Sequence, residues 1–234
     1  MKVDARCSEC HGMTLLMAAT LGGQKAVVQR CIAQGASLDL QDRDGMTALM
    51  TAAEHDRAPV VAGLLKAGAA LEIVDNDGNT ALMIAALRGA TAVTHMLVRA
   101  GASATAKDGH GDTVLVRASS AGFASVVYIL AAGASEDELT SALVAAAVAD
   151  QSSTAAALLR AGACADSADA RGVSALQAAR IAGDQSILHL LQHSLSDDAH
   201  STCPTAPRDL ESSETVSPGV EVRCAEIHTG GSHE

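Results

Sequence analysis

The chain repeats itself in two stretches, Asp42-Arg-Asp-Gly-Met-Thr-Ala-Leu-Met-Thr-Ala-Ala53 and Asp75-Asn-Asp-Gly-Asn-Thr-Ala-Leu-Met-Ile-Ala-Ala86. The two stretches begin 33 residues apart (75 − 42) and agree at nine of their twelve positions. The same interval separates four glycines, which are Gly12, Gly45, Gly78 and Gly111. A fixed period of this length is typical of proteins built from stacked supersecondary units.

Two weaker copies extend the series, at Thr140-Ser-Ala-Leu-Val144 and Gly172-Val-Ser-Ala-Leu-Gln177. The sequence therefore predicts six repeats within residues 8–193, preceded by a lead-in over residues 1–7. Their approximate bounds are 9–41, 42–74, 75–107, 108–135, 136–168 and 169–193. The apolar residues of 49–53 and 60–65 recur at helical spacing, which predicts two short helices per unit. The Thr or Ser of each T-x-L block is expected to cap the first helix of its unit.

The repeated unit resembles that of the ankyrin repeat family, whose consensus reads approximately D-x-x-G-x-T-P-L-H-x-A-A. This resemblance implies an all-α fold, namely an ankyrin repeat solenoid of stacked helix pairs with short projecting turns. The chain departs from the family at two positions, because T-P-L-H becomes T-A-L-M. Met17, Met50 and Met83 stand at the position of the family's His. We expect adaptable apolar packing to replace the polar bonds of that His.

The join between the fourth and fifth units is irregular. Gly133 lies only six residues before Leu139, where the next turn glycine is expected, and no Asp-x-x-Gly turn is present. The segment 134–138 must therefore cross by a shorter link. We expect a truncated turn there and a binding edge that is broken into two parts.

Composition and the absence of catalytic motifs exclude several classes of function. Asp and Glu outnumber Lys and Arg by 27 to 16, which gives a net charge of −11 that repels nucleic acid phosphates. No apolar run is long enough to span a membrane, and the first twenty residues lack the apolar segment of a secretory signal. We found no nucleophile elbow, phosphate loop or dinucleotide fingerprint. We therefore expect a monomeric, non-catalytic protein without a cofactor, in the cytoplasm or shared between the cytoplasm and the nucleus.

The resemblance implies that a partner protein binds to the turn tips and to the inner, concave face of the first helices. In this sequence the corresponding positions are Cys10, His11, Met13, Arg43, Asp44, Met46, Glu54, His55, Asn76, Asp77, Asn79, Leu87, Arg88, His110, Asp112, Arg171 and Val173. We expect exposed methionines and charges on this face, with Arg43 and Arg88 important for binding. Asp44 and Asp77 are the members most expected to have a structural role in the turns.

The N-terminal segment Cys7-Ser-Glu-Cys10-His11 matches the C-x-x-C-H pattern of c-type haem attachment. His11 is already explained as a turn residue, because it stands in register with Asp44, Asp77 and His110. A zinc site at Cys7, Cys10 and His11 would also need a fourth ligand that the sequence does not offer. A metal-binding module here stays the weakest alternative.

Residues 194–234 differ in composition from the repeats, since they contain three of the four prolines and many acidic, Ser and Thr residues. We expect this tail to be disordered. It offers two short candidate sites, a P-T-A-P peptide and a Ser-Pro site, formed by Pro204, Thr205, Ala206, Pro207 and Ser217. The sequence thus predicts a protein-binding adaptor or scaffold, with a stoichiometric inhibitor or regulatory subunit of an enzyme as the alternative.

Overall fold

The computed structural model describes residues 4–7, 10–183 and 185–197. Within these residues, every secondary-structure element is an α-helix. The chain divides into two units, Met1–Pro204 and Thr205–Glu234, and all described residues belong to the first. The candidate tail sites at residues 204–207 and at Ser217 lie outside the described residues. The predicted disorder of the tail is therefore still a prediction.

Twelve helices follow one another along the described residues. They are α1 (Leu15–Leu21), α2 (Lys25–Ala33), α3 (Ala48–Glu54), α4 (Ala58–Lys66), α5 (Ala81–Leu87), α6 (Thr91–Arg99), α7 (Val114–Ala121), α8 (Ala124–Ala131), α9 (Glu136–Val148), α10 (Ser152–Arg160), α11 (Ala175–Ala182) and α12 (Gln185–Asp197).

The helices form six pairs, and consecutive pairs stack on each other. The odd-numbered first helices pack in the order α1, α3, α5, α7, α9 and α11, and the even-numbered second helices pack beside them in the same order. Both helix rows agree with the predicted all-α solenoid, which is confirmed. The last helix continues to Asp197, four residues past the end that the sequence indicated for the sixth repeat.

Buried leucines hold the first helices together. The first five units each contribute one leucine to the core, since the side chains of Leu16, Leu49, Leu82, Leu115 and Leu143 are buried. The corresponding Leu176 of the sixth unit is partly buried and packs against this core. Burying a leucine is worth about 1.5–3 kcal/mol relative to leaving it exposed, so this row links neighbouring units along the stack. Alanines fill the remaining space, which lets these short helices pack closely.

Hydroxyl side chains begin four of the first helices. Thr14, Thr47, Thr80 and Ser174 each accept a hydrogen bond from the backbone N–H three residues later, as the sequence predicted. The prediction is wrong for the fourth unit, where Thr113 precedes α7 without making a capping bond, and for the fifth, where Ser141 lies inside α9 and not at its start.

The irregular join has become part of a helix. In α9 the N-cap is Ser135, which forms a capping box with Glu138, so the helix runs for 13 residues against 7 in α1, α3 and α5. Only residues 132–135 separate α8 from α9. The segment that forms a projecting turn in the other units is thus helical here.

None of the helices in the described part of the chain is long and apolar enough to cross a membrane.

Candidate partner-binding site

An aspartate organises each projecting turn. The Asp42 carboxylate accepts hydrogen bonds from the backbone N–H groups of Asp44 and Met46, at 3.0 and 2.9 Å. Asp75, Asp108 and Asp169 do the same in their turns: each carboxylate accepts from the backbone N–H groups two and four residues later. These four aspartates therefore fix the turns, because a carboxylate that accepts two backbone N–H groups holds the loop in one conformation.

Asp44 and Asp77 were expected to have a structural role in the turns, and the structure shows that role for their backbone and not for their side chains. Both side chains are exposed, and neither carboxylate takes part in a hydrogen bond or ion pair among the described residues. Their backbone carbonyls do have a structural role. The Asp44 carbonyl accepts from the Asn76 N–H at 3.1 Å, and the Asp77 carbonyl accepts from the Gly109 N–H at 3.0 Å.

The turn of the sixth unit shows how strongly this arrangement holds its aspartate. Partial burial raises the pKa of Asp169, but hydrogen bonds from the backbone of Val173 and from Arg171 lower it by more. The net result is an Asp169 pKa below its ordinary value, so the carboxylate is ionised at neutral pH. Arg171, a predicted partner-binding residue, forms an ion pair with the Asp169 carboxylate at 2.9 Å.

An acidic groove lies between the second and third units. We give this name to the concavity of about 430 Å3 lined by Asp44, Met46, Glu54, Asp75, Asp77, Asn79, Ile84, Leu87 and Arg88. Seven of these nine residues belong to the predicted binding face, so the structure brings this part of the prediction together. The sequence analysis missed Asp75 and Ile84. Asp75 could have been found because it lies 33 residues after Asp42, at the equivalent position of the next turn. Ile84 lies in α5, three residues before Leu87 and therefore on nearly the same side of the helix.

The charge of the acidic groove is negative. Four carboxylates line it against one guanidinium, and that guanidinium is already paired, because Arg88 contacts Glu54 at 2.6 Å. The Asp75 carboxylate is occupied by the turn. The side chains left without a partner in the groove are therefore the carboxylates of Asp44 and Asp77, which makes the groove complementary to a cation.

The predicted methionines differ from expectation in their exposure. Met13 and Met46 are partly buried and pack against the hydrophobic core, as does Val173. Exposed methionines on the binding face are therefore an incorrect prediction. Met46 still lines the acidic groove, as do the apolar side chains of Ile84 and Leu87.

The remaining predicted residues lie elsewhere on the stack. His55 is exposed, and its Nδ1 lies 3.1 Å from the Thr51 carbonyl. Asn76 is also exposed, and its side-chain amide donates to the Arg43 carbonyl at 2.9 Å, which ties two turns together. Cys10 and His11 form the exposed first turn.

A second concavity lies between the turns of the fourth and sixth units, and we call it the turn cleft. It measures about 890 Å3 and includes three predicted residues, His110, Asp112 and Arg171. Its floor comes from the start of α9, with Ser135, Asp137 and Glu138. The sequence analysis did not select these α9 residues, because it treated segment 134–138 as a link.

Cys7 and Cys10, the candidate metal ligands at the N-terminus, are both exposed. A hydrogen bond with Cys7 and the negative charge of the Cys7 thiolate raise the pKa of Cys10. Among residues 4–7, 10–183 and 185–197, no three His, Cys, Asp or Glu side chains lie together in a way that would hold a metal ion.

Comparison with known proteins agrees with the helix pairs and their turns. A family model described as ankyrin repeats (3 copies) matches residues 1–75 and 63–140. These matches span 140 of 234 residues, so the chain belongs to the ankyrin repeat family. Ankyrin repeats are protein–protein interaction modules, and members of this family are typically not enzymes. A search of the curated proteins gave no match.

Solved ankyrin domains share the fold. The ankyrin repeat domain of Bcl-3, a member of the IkappaB protein family, is similar with a TM-score of 0.71 and 26% identity over 78% of this chain and 86% of that one. The ankyrin repeat domain of human ASB11 gives a TM-score of 0.69 and 24% identity over 78% of this chain and 84% of that one.

Proposed function

We propose that this protein is a non-catalytic adaptor or scaffold that binds a basic segment of a partner protein in the acidic groove. The observation that supports this proposal is the pair of unpartnered carboxylates, Asp44 and Asp77, which line the groove together with the apolar side chains of Met46, Ile84 and Leu87. The protein would act without a cofactor, as a monomer, in the cytoplasm or in both cytoplasm and nucleus.

A Lys or Arg side chain fits this arrangement for a physical reason. Its methylene stem packs on apolar surface while its charged end reaches a carboxylate. Met46, Ile84 and Leu87 supply the apolar surface, and Asp44 and Asp77 supply the carboxylates. A nucleic acid or another acidic surface would be repelled by the same side chains.

The alternative is a regulatory subunit or stoichiometric inhibitor, and the likeness to the Bcl-3 domain keeps it under consideration. The acidic groove would serve this role equally well, since only the partner differs. An adaptor should form a ternary complex with two partners at once. A regulatory subunit should instead change the activity of one partner at a one-to-one ratio.

The proposal is tested by capturing partners with the tagged full-length chain and with two charge-matched variants. Asp77→Lys places a positive charge in the acidic groove, whereas Asp166→Lys makes the same change at an exposed aspartate that does not line it. We expect partners to be lost from Asp77→Lys, retained by Asp166→Lys, and identified by mass spectrometry.

Affinity titration with a captured partner then gives the size of the effect. We expect Asp77→Lys to weaken binding by at least about tenfold, since it replaces an attraction with a repulsion. Equal affinity of the two variants would show that the acidic groove is not the binding surface. The circular dichroism of both variants should match that of the natural protein.

A further inference from the structure

The backbone pairing between neighbouring turns stops at the turn cleft. Each of the first three turns accepts a hydrogen bond from the next turn. The Arg43 N–H donates to the His11 carbonyl at 3.0 Å, the Asn76 N–H to the Asp44 carbonyl at 3.1 Å, and the Gly109 N–H to the Asp77 carbonyl at 3.0 Å. In the fourth turn, His110 is equivalent to these acceptor residues, so its carbonyl would accept the next bond. In the sixth turn, Ala170 is equivalent to the donor residues, so its N–H would donate one. The fifth unit has no turn to pair with either group.

Both groups are left without a partner in the described part of the chain. Neither the His110 carbonyl nor the Ala170 N–H forms a hydrogen bond there, and both residues line the turn cleft. Strands and turns that present such unpaired groups are templates for another backbone. The residues that line the cleft therefore include one with an unpaired backbone acceptor, His110, and one with an unpaired backbone donor, Ala170.

The glycines of the turns show that the missing turn leaves real space. A Cβ added at Gly78 would lie 2.8 Å from the Gly109 nitrogen of the next turn, and one at Gly45 would lie 2.8 Å from the Asn76 nitrogen. A Cβ added at Gly111 would meet nothing within 4 Å. The neighbour that presses on Gly45 and Gly78 is thus absent beside the fourth turn.

The charges of the turn cleft favour a basic occupant. Glu138 is held by the Ser135 hydroxyl and N–H, and Asp169 is held by Arg171. The other two carboxylates, those of Asp112 and Asp137, have no partner among the described residues, and they face one unpaired lysine, Lys107. A guest that brings a Lys or Arg side chain would neutralise the excess negative charge.

Thr113, which also lines the turn cleft, lacks the capping bond that most other units make at this position. Thr113 occupies the N-cap position of α7, yet its side chain makes no capping bond, unlike the hydroxyls that begin α1, α3, α5 and α11. Its oxygen is buried and has no hydrogen-bond partner among the described residues.

We propose that the turn cleft binds an extended segment of a partner protein in the place of the missing fifth turn. The guest backbone donates an N–H to the His110 carbonyl and accepts from the Ala170 N–H. A Lys or Arg of the guest lies between Asp112 and Asp137. This inference rests on the proposed function as a protein-binding module, but it assigns a second site whose residues are separate from those of the acidic groove.

The test uses short peptides, because an extended guest should bind without the rest of its protein. A library of random peptides displayed on phage is selected against the full-length chain, and enriched peptides are synthesised. We expect a group of Lys- or Arg-containing peptides that shift the NMR amide signals of 107–116, 135–141 and 169–173. Those of 44–54 and 77–88 should stay in place for this group.

Variants then test the contacts. For this group of peptides, Asp112→Asn and Asp137→Asn should each weaken binding about tenfold, as the loss of a charge-assisted contact does. Asp166→Asn is the matched control and should leave binding unchanged. Methylating one peptide amide nitrogen at a time should identify a single position whose loss abolishes binding, because that N–H pairs with the His110 carbonyl.

Two results would overturn the inference. One is a selection in which every enriched peptide binds Asp112→Asn and Asp137→Asn as well as the natural protein. The other is a set of shifted amides confined to the acidic groove. Neither result bears on the acidic groove itself, since that proposal is judged by Asp77→Lys. Loss of partners from Asp77→Lys together with either result would keep the first proposal and remove this one.

Discussion

Single atoms decide how closely successive turns approach each other. Gly78 and Gly111 occupy equivalent turn positions and have nearly the same backbone, with φ of 82° and 85°. Only Gly78 faces a neighbouring turn, whose Gly109 nitrogen would lie 2.8 Å from an added Cβ. Comparing alanine substitutions at the two glycines therefore distinguishes the free-energy cost of the left-handed backbone from the additional cost of steric crowding.

Substituting these glycines tests the gap beside the fourth turn. Gly111→Ala should lower the free energy of unfolding by about 1–2 kcal/mol, since the left-handed conformation is unfavourable for alanine. Gly78→Ala should cost that amount and about 1–3 kcal/mol more for overpacking. Urea unfolding measures both. Equal losses would mean that the fourth turn is as crowded as the third and that the turn cleft is closed.

The buried methionines of the first helices make a polar contact that the sequence analysis did not predict. Met17 and Met50 are buried, as the expected apolar packing requires, but their sulfur atoms also accept hydrogen bonds of 3.4 Å from the backbone N–H of Thr14 and Thr47. Thioether sulfur is a weak acceptor, so it stands in for a polar side chain at the end of a capping box. The substitution of the family's His thus keeps part of its polar contact.

At the scale of elements, α9 is the feature that sets this stack apart. The sequence showed that a turn was missing, but the missing turn is replaced by additional turns of helix. The signal was present in Ser135-Glu-Asp-Glu138, because Ser followed three residues later by Glu is a helix-start pattern. The 33-residue register favoured Ser141 as the start and concealed this pattern.

Removing the cap of α9 should therefore destabilise the protein. Ser135→Ala loses the bonds between Ser135 and Glu138, and we expect a loss of about 1 kcal/mol in the free energy of unfolding. Thr113→Ala is the matched control, because Thr113 occupies the N-cap position of α7 without a capping bond. Thermal unfolding followed by circular dichroism compares them. A larger loss for Thr113→Ala would contradict the assigned start of α9.

The whole stack was predictable because each unit contacts mainly its neighbours, so a local pattern fixes most of the fold. The sites were less predictable because they depend on contacts between units. Arg88 was selected as a binding residue, yet it pairs with Glu54 in the preceding unit. The unpaired groups of His110 and Ala170 became apparent only when the turns on both sides were placed.

Long-range charge is a property of the whole chain, and its effect on binding can be separated from contacts in the acidic groove. A net charge of −11 should attract a basic partner before contact, so association should slow steeply as salt rises. Raising NaCl from about 50 mM to about 0.5 M shortens the screening length severalfold and should reduce the association rate far more than it raises the dissociation rate.

The charge-matched variants then distinguish steering from contact. Asp77→Lys and Asp166→Lys change the net charge equally, so both should slow association with the captured partner to a similar, modest extent. Only Asp77→Lys should speed dissociation, since only that side chain lies in the acidic groove. Surface plasmon resonance gives both rates. Faster dissociation for Asp166→Lys, or an association rate that salt does not change, would show that charge acts otherwise in this protein.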